Sequence, residues 1–165
     1  MKEKEIAEFV KPLYSNKDSM HNFKHILRIK KRVSLYKNDY NNINEQKLIF
    51  LIYFHGLKNY VKEHKNEIIR MGFPNDWITA LNRHTKNPIS IEEKLVSDAN
   101  LWEAVGKFGV KKSIQVGKER NRTMKDTLKF MYNNIDSIRF YTKKGKEFGN
   151  PGIRYIKNFL RDKIN

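Results

Sequence analysis

The amino-acid sequence predicts an all-helical protein, one domain over residues 1–165 built from roughly six to eight helices. Three observations carry this expectation. Apolar residues recur mostly at spacings of three and four, the repeat that puts side chains on one face of a helix. Glycine and proline, which interrupt helices, number only 8 and 4, so long helical runs have room. Stretches that alternate apolar and polar residues, as strands do, are nearly absent.

Taken in order, Ile26, Ile29, Val33 and Tyr36 lie on one face of a helix expected over residues 23–37, with lysines on its other side. Leu48, Phe50, Leu51, Ile52, Tyr53 and Phe54 are apolar almost all round, which marks a helix buried at the centre of the domain. It should stop at His55-Gly56, where glycine can take the left-handed conformation. A polar stretch over residues 58–65 leads to a helix ending near Met71-Gly72-Phe73-Pro74. Pro74 suits the first turn of the next helix, which carries Trp77, Ile78 and Leu81. Ser90 and Glu93 have the spacing of a capping box, opening a helix through Leu95 and Leu101. Further helices are expected over residues 123–134 and 153–163. Turns are expected at Lys143-Lys144-Gly145 and Gly149-Asn150-Pro151-Gly152.

Hydrophobic residues at 39%, with 10 Phe, 8 Tyr and 2 Trp, suffice for a packed core rather than a disordered chain. There is no cysteine, which excludes disulfides, thiolate metal sites and cysteine nucleophiles together. The first residues carry charges where a secretory signal would be apolar, and no stretch is long enough to span a bilayer, so a cytoplasmic location without membrane contact is expected. The formal net charge is +16, from 34 Lys plus Arg against 18 Asp plus Glu, and it attracts phosphates, nucleic acid or acidic surfaces.

Five histidines could carry chemistry: His21, His25, His55, His64 and His84. Imidazole is the commonest metal ligand, and His21 and His25 are four apart, so both rings would share one helix face. The basic stretches beginning at Lys107 and Lys118 suit either a solvated helix face or a phosphate-gripping segment.

The order of these pieces resembles the HD superfamily of metal-dependent phosphohydrolases. Asp18, His21-Asn22, His25 and Arg28-Ile29 precede an apolar helix ending in His55-Gly56, and the family's first helix typically reads His-Asp followed by His and Arg-Val. Met71-Gly72-Phe73-Pro74, Trp77-Ile78 and His84 look like the family's next segment. Pro88, Ser90, Glu92 and the run from Asp98 to Gly106 look like its Thr-x-Glu and Asp-Ala-Asp-x-Leu-Asp-Ala-x-Gly stretch. The similarity is strongest over residues 18–110 and implies the HD-domain helical fold.

It also implies a site in which two histidines, the aspartate adjoining the second and a distant aspartate hold one divalent metal (Mn, Co, Fe or Mg). That ion activates water against a phosphoester. The matching histidines are His25 and His55, with Asp98 as the candidate carboxylate. Gly56 stands where the namesake aspartate would be, Asn22 replaces the aspartate after the first histidine, and Asn100 replaces the second aspartate of Asp-Ala-Asp. An asparagine oxygen is neutral and glycine offers no ligand, so the metal site is expected to be degenerate, with no tightly bound ion. Restoring Gly56→Asp and Asn100→Asp together should then raise metal affinity.

Fewer carboxylates also make the pocket more positive, so a nucleotide or another phosphate-bearing anion could bind directly. Pocket residues expected beside His25 and His55 are His21, His84, Arg28, Asn22, Asn100, Lys58, Lys94 and Glu92, while no catalytic residue is assigned. Two alternatives stand beside this reading. One is an active phosphohydrolase that recruits Asp98, Glu103 or Glu92 as a substitute ligand. The other is a basic helical module that binds nucleic acid through surface lysines.

Overall fold

A computed structural model describes residues 1–164, and among them every regular element is helical. The expected class is therefore observed. Asn165, the last residue of the expected single domain, lies outside the described residues. The helices gather into two compact units: Met1–Lys17 with His21–Ser97, and Asp18–Met20 with the described residues from Asp98 onward.

In the first unit, α1 (Glu3–Val10) and a 3-10 turn (Lys11–Tyr14) bury Ile6, Val10 and Tyr14, which repeat every four residues on one face. The next helix, α2 (Phe23–Tyr36), starts where the Asn22 side chain accepts the amide of Lys24, and it buries His25, Ile26, Ile29, Val33 and Tyr36. Helix α3 (Glu45–Phe54) packs against α1 and α2 and buries Leu48 and everything from Phe50 to Phe54, as its all-round apolar surface requires. A short helix, α4 (Lys58–Glu63), occupies the stretch expected to be a polar lead-in, and α5 (Lys65–Arg70) is the helix expected to end near Met71. After them Gly72 turns the chain at φ +94°, and α6 (Asn75–Arg83) follows. Phe50, Phe54, Phe73 and Trp77 form one aromatic cluster, so Phe54 and Trp77 are structural. At the start of α7 (Ile91–Leu101) the Ser90–Glu93 capping box forms as expected, at 3.3 and 3.4 Å.

The second unit holds the end of α7 from Asp98 on, a 3-10 turn (Trp102–Ala104), α8 (Gly106–Glu119), α9 (Met124–Ile135) and α10 (Lys143–Ile164). Its core is Val105, Val110, Met131, Ile135, Phe140, Ile156 and Leu160. Trp102 packs against this core.

Two expectations are corrected. Gly56 does not take a left-handed conformation; the positive-φ glycines are Gly72 and Gly106. Nor do the steps at residues 143–145 and 149–152 break the chain, because α10 runs through both with Pro151 inside it. Its glycines serve close packing instead. A side chain at Gly149 would collide with the ring of Phe140, and one at Gly145 with the carboxylate of Asp98.

Candidate functional site at the end of helix α3

Helix α2 supplies His25, the end of α3 supplies His55, and the residue after α6 supplies His84. These three histidines are buried, and they stand in a row with His21. Ring centroids are 5.6 Å apart from His21 to His25, 5.7 Å from His25 to His55 and 4.9 Å from His55 to His84. His55 Nδ1 and His84 Nε2 are 2.7 Å apart, and His84 Nδ1 is 2.6 Å from the carbonyl of Leu81.

The bonding pattern assigns the protons. A carbonyl only accepts, so His84 Nδ1 carries hydrogen and donates to Leu81. Burial first, and then the charge of Lys58, pushes the His84 pKa down to about 4, so His84 is neutral near pH 7 and its Nε2 holds a lone pair. His55 Nδ1 must therefore donate to it, which makes Nε2 the nitrogen through which His55 meets any ligand. Arg83, beside His84, is anchored by a two-pronged pair with the buried Glu93 at 2.8 and 2.7 Å, and this fixes the end of α6 that carries the ring.

The row also has a stability signature. Unfolded His84 binds a proton below about pH 6.5, whereas the folded chain resists protonation down to about 4. Its contribution is complete above the unfolded value, and it is lost as pH falls through that window, on the order of 3 kcal/mol in all. Urea unfolding at pH 7, 5.5 and 4 should show the loss, and His84→Gln should flatten that part of the profile.

Beside the row, Tyr14 takes the place that an acidic side chain at position 56 would need. A Cβ on Gly56 would lie 2.9 Å from the Tyr14 ring. The Tyr14 hydroxyl donates to the carbonyl of Tyr53 at 2.9 Å and accepts the amide of Gly56 at 3.1 Å. Burial raises its pKa, so the hydroxyl keeps the proton it donates. Glycine at 56 is thus explained by a buried ring packed against it rather than by helix termination.

A pocket of about 410 Å³ opens at this helix end, lined by Asn16, Lys17, His55, Gly56, Lys58 and Tyr60, with Leu13, Leu57 and Asn59. Lys58 is half-buried and donates to Thr85 Oγ1 at 2.7 Å and the Asn82 carbonyl at 3.3 Å. Burial and then Lys86 lower its pKa. No carboxylate is among these lining residues, so their polar side chains are two lysines, two amides, an imidazole and a phenol.

Of the other residues expected here, Asn22 is spent on capping α2, and Glu92 accepts the amide of Asn44 at 2.9 Å with Lys47 at 3.7 Å. Arg28 and Lys94 are half-buried on α2 and α7 and do not line the pocket. Asn100 and Asp98 belong to the second unit. Asp98 is fully buried and accepts the amides of Tyr141 and Thr142 and the Thr142 hydroxyl at 2.6–3.1 Å, which closes the N-terminus of α10. Burial raises its pKa against those donors. Glu103, also fully buried, pairs with Lys112 at 3.3 Å. Among the described residues, no three His, Cys, Asp or Glu side chains gather as a metal site. Sequence reasoning missed Tyr14, Asn16 and Lys17; the four-residue apolar repeat Ile6, Val10, Tyr14 was the available signal for the first.

No family model matches the sequence, and no curated protein matches it. Solved structures do. The Lin1889 protein of Listeria innocua is 20% identical with a TM-score of 0.68, over 100% of this chain and 97% of that one. YpgQ of Bacillus subtilis, solved in complex with ADP, is 16% identical with a TM-score of 0.71, over 98% and 95%. An HD-superfamily hydrolase of Bacillus thuringiensis is 20% identical with a TM-score of 0.70, over 98% and 94%. Near-complete coverage of both chains, together with the all-helical architecture described above, gives this protein the fold of the solved HD-superfamily hydrolases.

Proposed function

We propose that this protein binds a nucleotide or another phosphate-bearing anion directly in the pocket at the end of α3, without a firmly held metal ion. The observation that carries this reading is the pocket lining: His55, Lys17 and Lys58 with amides, and glycine at the position where the family resemblance places an acid. A carboxylate there would attract a divalent cation, whereas cations and amide donors attract phosphate. The donor set does not suit a divalent ion. Position 56 offers no ligand, its side-chain direction is filled by Tyr14, and no carboxylate lines the pocket to supply an anionic oxygen beside His55. The ADP complex of YpgQ, on the same fold, supports a nucleotide as the anion to try first.

A hydrolase using a substitute carboxylate is less well supported. Asp98, Glu103 and Glu92 each already accept bonds from protein donors, which ligation would displace. No helix among the described residues is long and apolar enough to cross a membrane. A cytoplasmic setting, where nucleotides are abundant, goes with this reading.

Titration calorimetry with ADP and with pyrophosphate provides the test. Binding should survive EDTA, and Lys17→Ala and Lys58→Ala should each weaken it roughly tenfold, as expected for a lost charge-assisted contact of about 1.5 kcal/mol. Binding that vanishes with EDTA and returns with manganese would support the metal-dependent alternative instead.

A further inference from the structure

We propose that the groove between α9 and the C-terminal end of α10 is a second binding site, one for single-stranded nucleic acid. Helix α9 turns Thr127, Met131 and Ile135 into the core, the i, i+4, i+8 stripe that folding requires. Beside it runs a second stripe, Lys125, Leu128, Lys129 and Tyr132 at i, i+3, i+4 and i+7, in which Leu128 leans on the core while the two lysines and the tyrosine are exposed. These four residues and Lys163 of α10 line a groove of about 500 Å³.

The composition of the groove selects its occupant. Tyr132 is 62% exposed, so the face of its ring is open to a partner. Leu128 forms an apolar floor, and Lys125, Lys129 and Lys163 are exposed around it. Of the acids nearby, Asp136 pairs with Lys157 and Asp162 lies 3.9 Å from Arg161, while Asp126, which receives the Thr123 hydroxyl at 2.6 Å, keeps its charge; three lysines against it leave the rim positive. An aromatic ring flanked by lysines matches what a single strand presents, a base face for stacking between backbone phosphates. A duplex hides its base faces and can use only the lysines. The chain's net charge of +16 adds a field that favours the same partner.

The test is fluorescence anisotropy with a labelled 15-nucleotide oligothymidylate at several salt concentrations, using the full chain. All substituted residues are exposed, and circular dichroism verifies that each variant keeps its helix content. Tyr132→Ala should weaken binding roughly tenfold, the loss of one stacked base. Lys125→Ala with Lys129→Ala should reduce the magnitude of the log-log salt slope by about 1.4, two phosphates at about 0.7 each. The control pair Lys4→Ala with Lys31→Ala, on exposed positions of the first unit, should leave the slope unchanged. Absence of binding by the wild type would overturn the proposal, as would equal losses in the control pair or tighter binding of a duplex of the same length. So would an outcome in which Tyr132→Ala spares oligonucleotide binding but abolishes binding to phosphatidylglycerol vesicles.

Discussion

Gly56→Asp should destabilise the protein by about 3–5 kcal/mol and should not, by itself, create a metal site. The new Cβ would fall 2.9 Å from the ring of Tyr14, a side chain only 1% exposed, so the ring must move. Overpacking of this kind costs about 1–3 kcal/mol. Moving the ring also strains two hydrogen bonds, from the Tyr14 hydroxyl to Tyr53 and from the Gly56 amide to Tyr14, at about 1 kcal/mol each. This revises the expectation that restoring Gly56→Asp with Asn100→Asp rebuilds metal affinity, since it treated position 56 as an empty ligand slot.

Urea unfolding of Gly56→Ala and Gly56→Asp separates the clash, present in both, from the cost of the added carboxylate. Tyr14→Ala removes the obstacle, so Gly56→Asp should cost less in that background than in the wild type. Residues in contact couple in this way. A Gly56→Asp variant as stable as the wild type would sink the account of Tyr14, and stoichiometric manganese in that single variant would show the slot to be open.

The parts of the fold that were legible in the sequence were those set by local pattern. The all-round apolar run from Leu48 to Phe54 and the Ser90–Glu93 capping box need only neighbours a few residues away, and both appear as read. The misread parts depend on contacts distant in sequence. Gly-Asn-Pro-Gly at residues 149–152 has the composition of a turn, but Phe140 packs onto Gly149 and α10 passes straight through. Gly56 has the position of a helix stop, but Tyr14, forty-two residues earlier, is what requires it. The same division holds at the site. His25, His55 and His84 were expected together from the order of segments that resembles the family, and their rings stand in one row. The proton order along the row, with Leu81 at one end, and the pocket wall formed by Asn16 and Lys17 follow from tertiary packing. No pattern in the sequence announces them.

Asp98→Ala should cost the second unit about 3–5 kcal/mol, because three donors lose their charged acceptor at upwards of about 1 kcal/mol each. Asp98 is fully buried and accepts the amides of Tyr141 and Thr142 and the Thr142 hydroxyl, so alanine leaves donors without an acceptor away from water. It also leaves space beside Gly145, which packs closely on this carboxylate. The start of α10 should fray first, because the three donors sit at its N-terminus and the helix dipole there favours a negative charge. Asp98→Asn is the sharper comparison. It keeps the volume and one accepting oxygen, but its NH₂ group faces amide donors where the second oxygen accepted them, so it should recover only part of the loss. Hydrogen exchange read at the amides of Tyr141, Thr142 and Gly145 distinguishes a local role from a global one. The largest acceleration is expected at this helix start, with a smaller one across the rest of the second unit. Unchanged stability in Asp98→Ala, with ADP binding lost in the same variant, would move Asp98 from a structural anchor to a ligand-binding carboxylate.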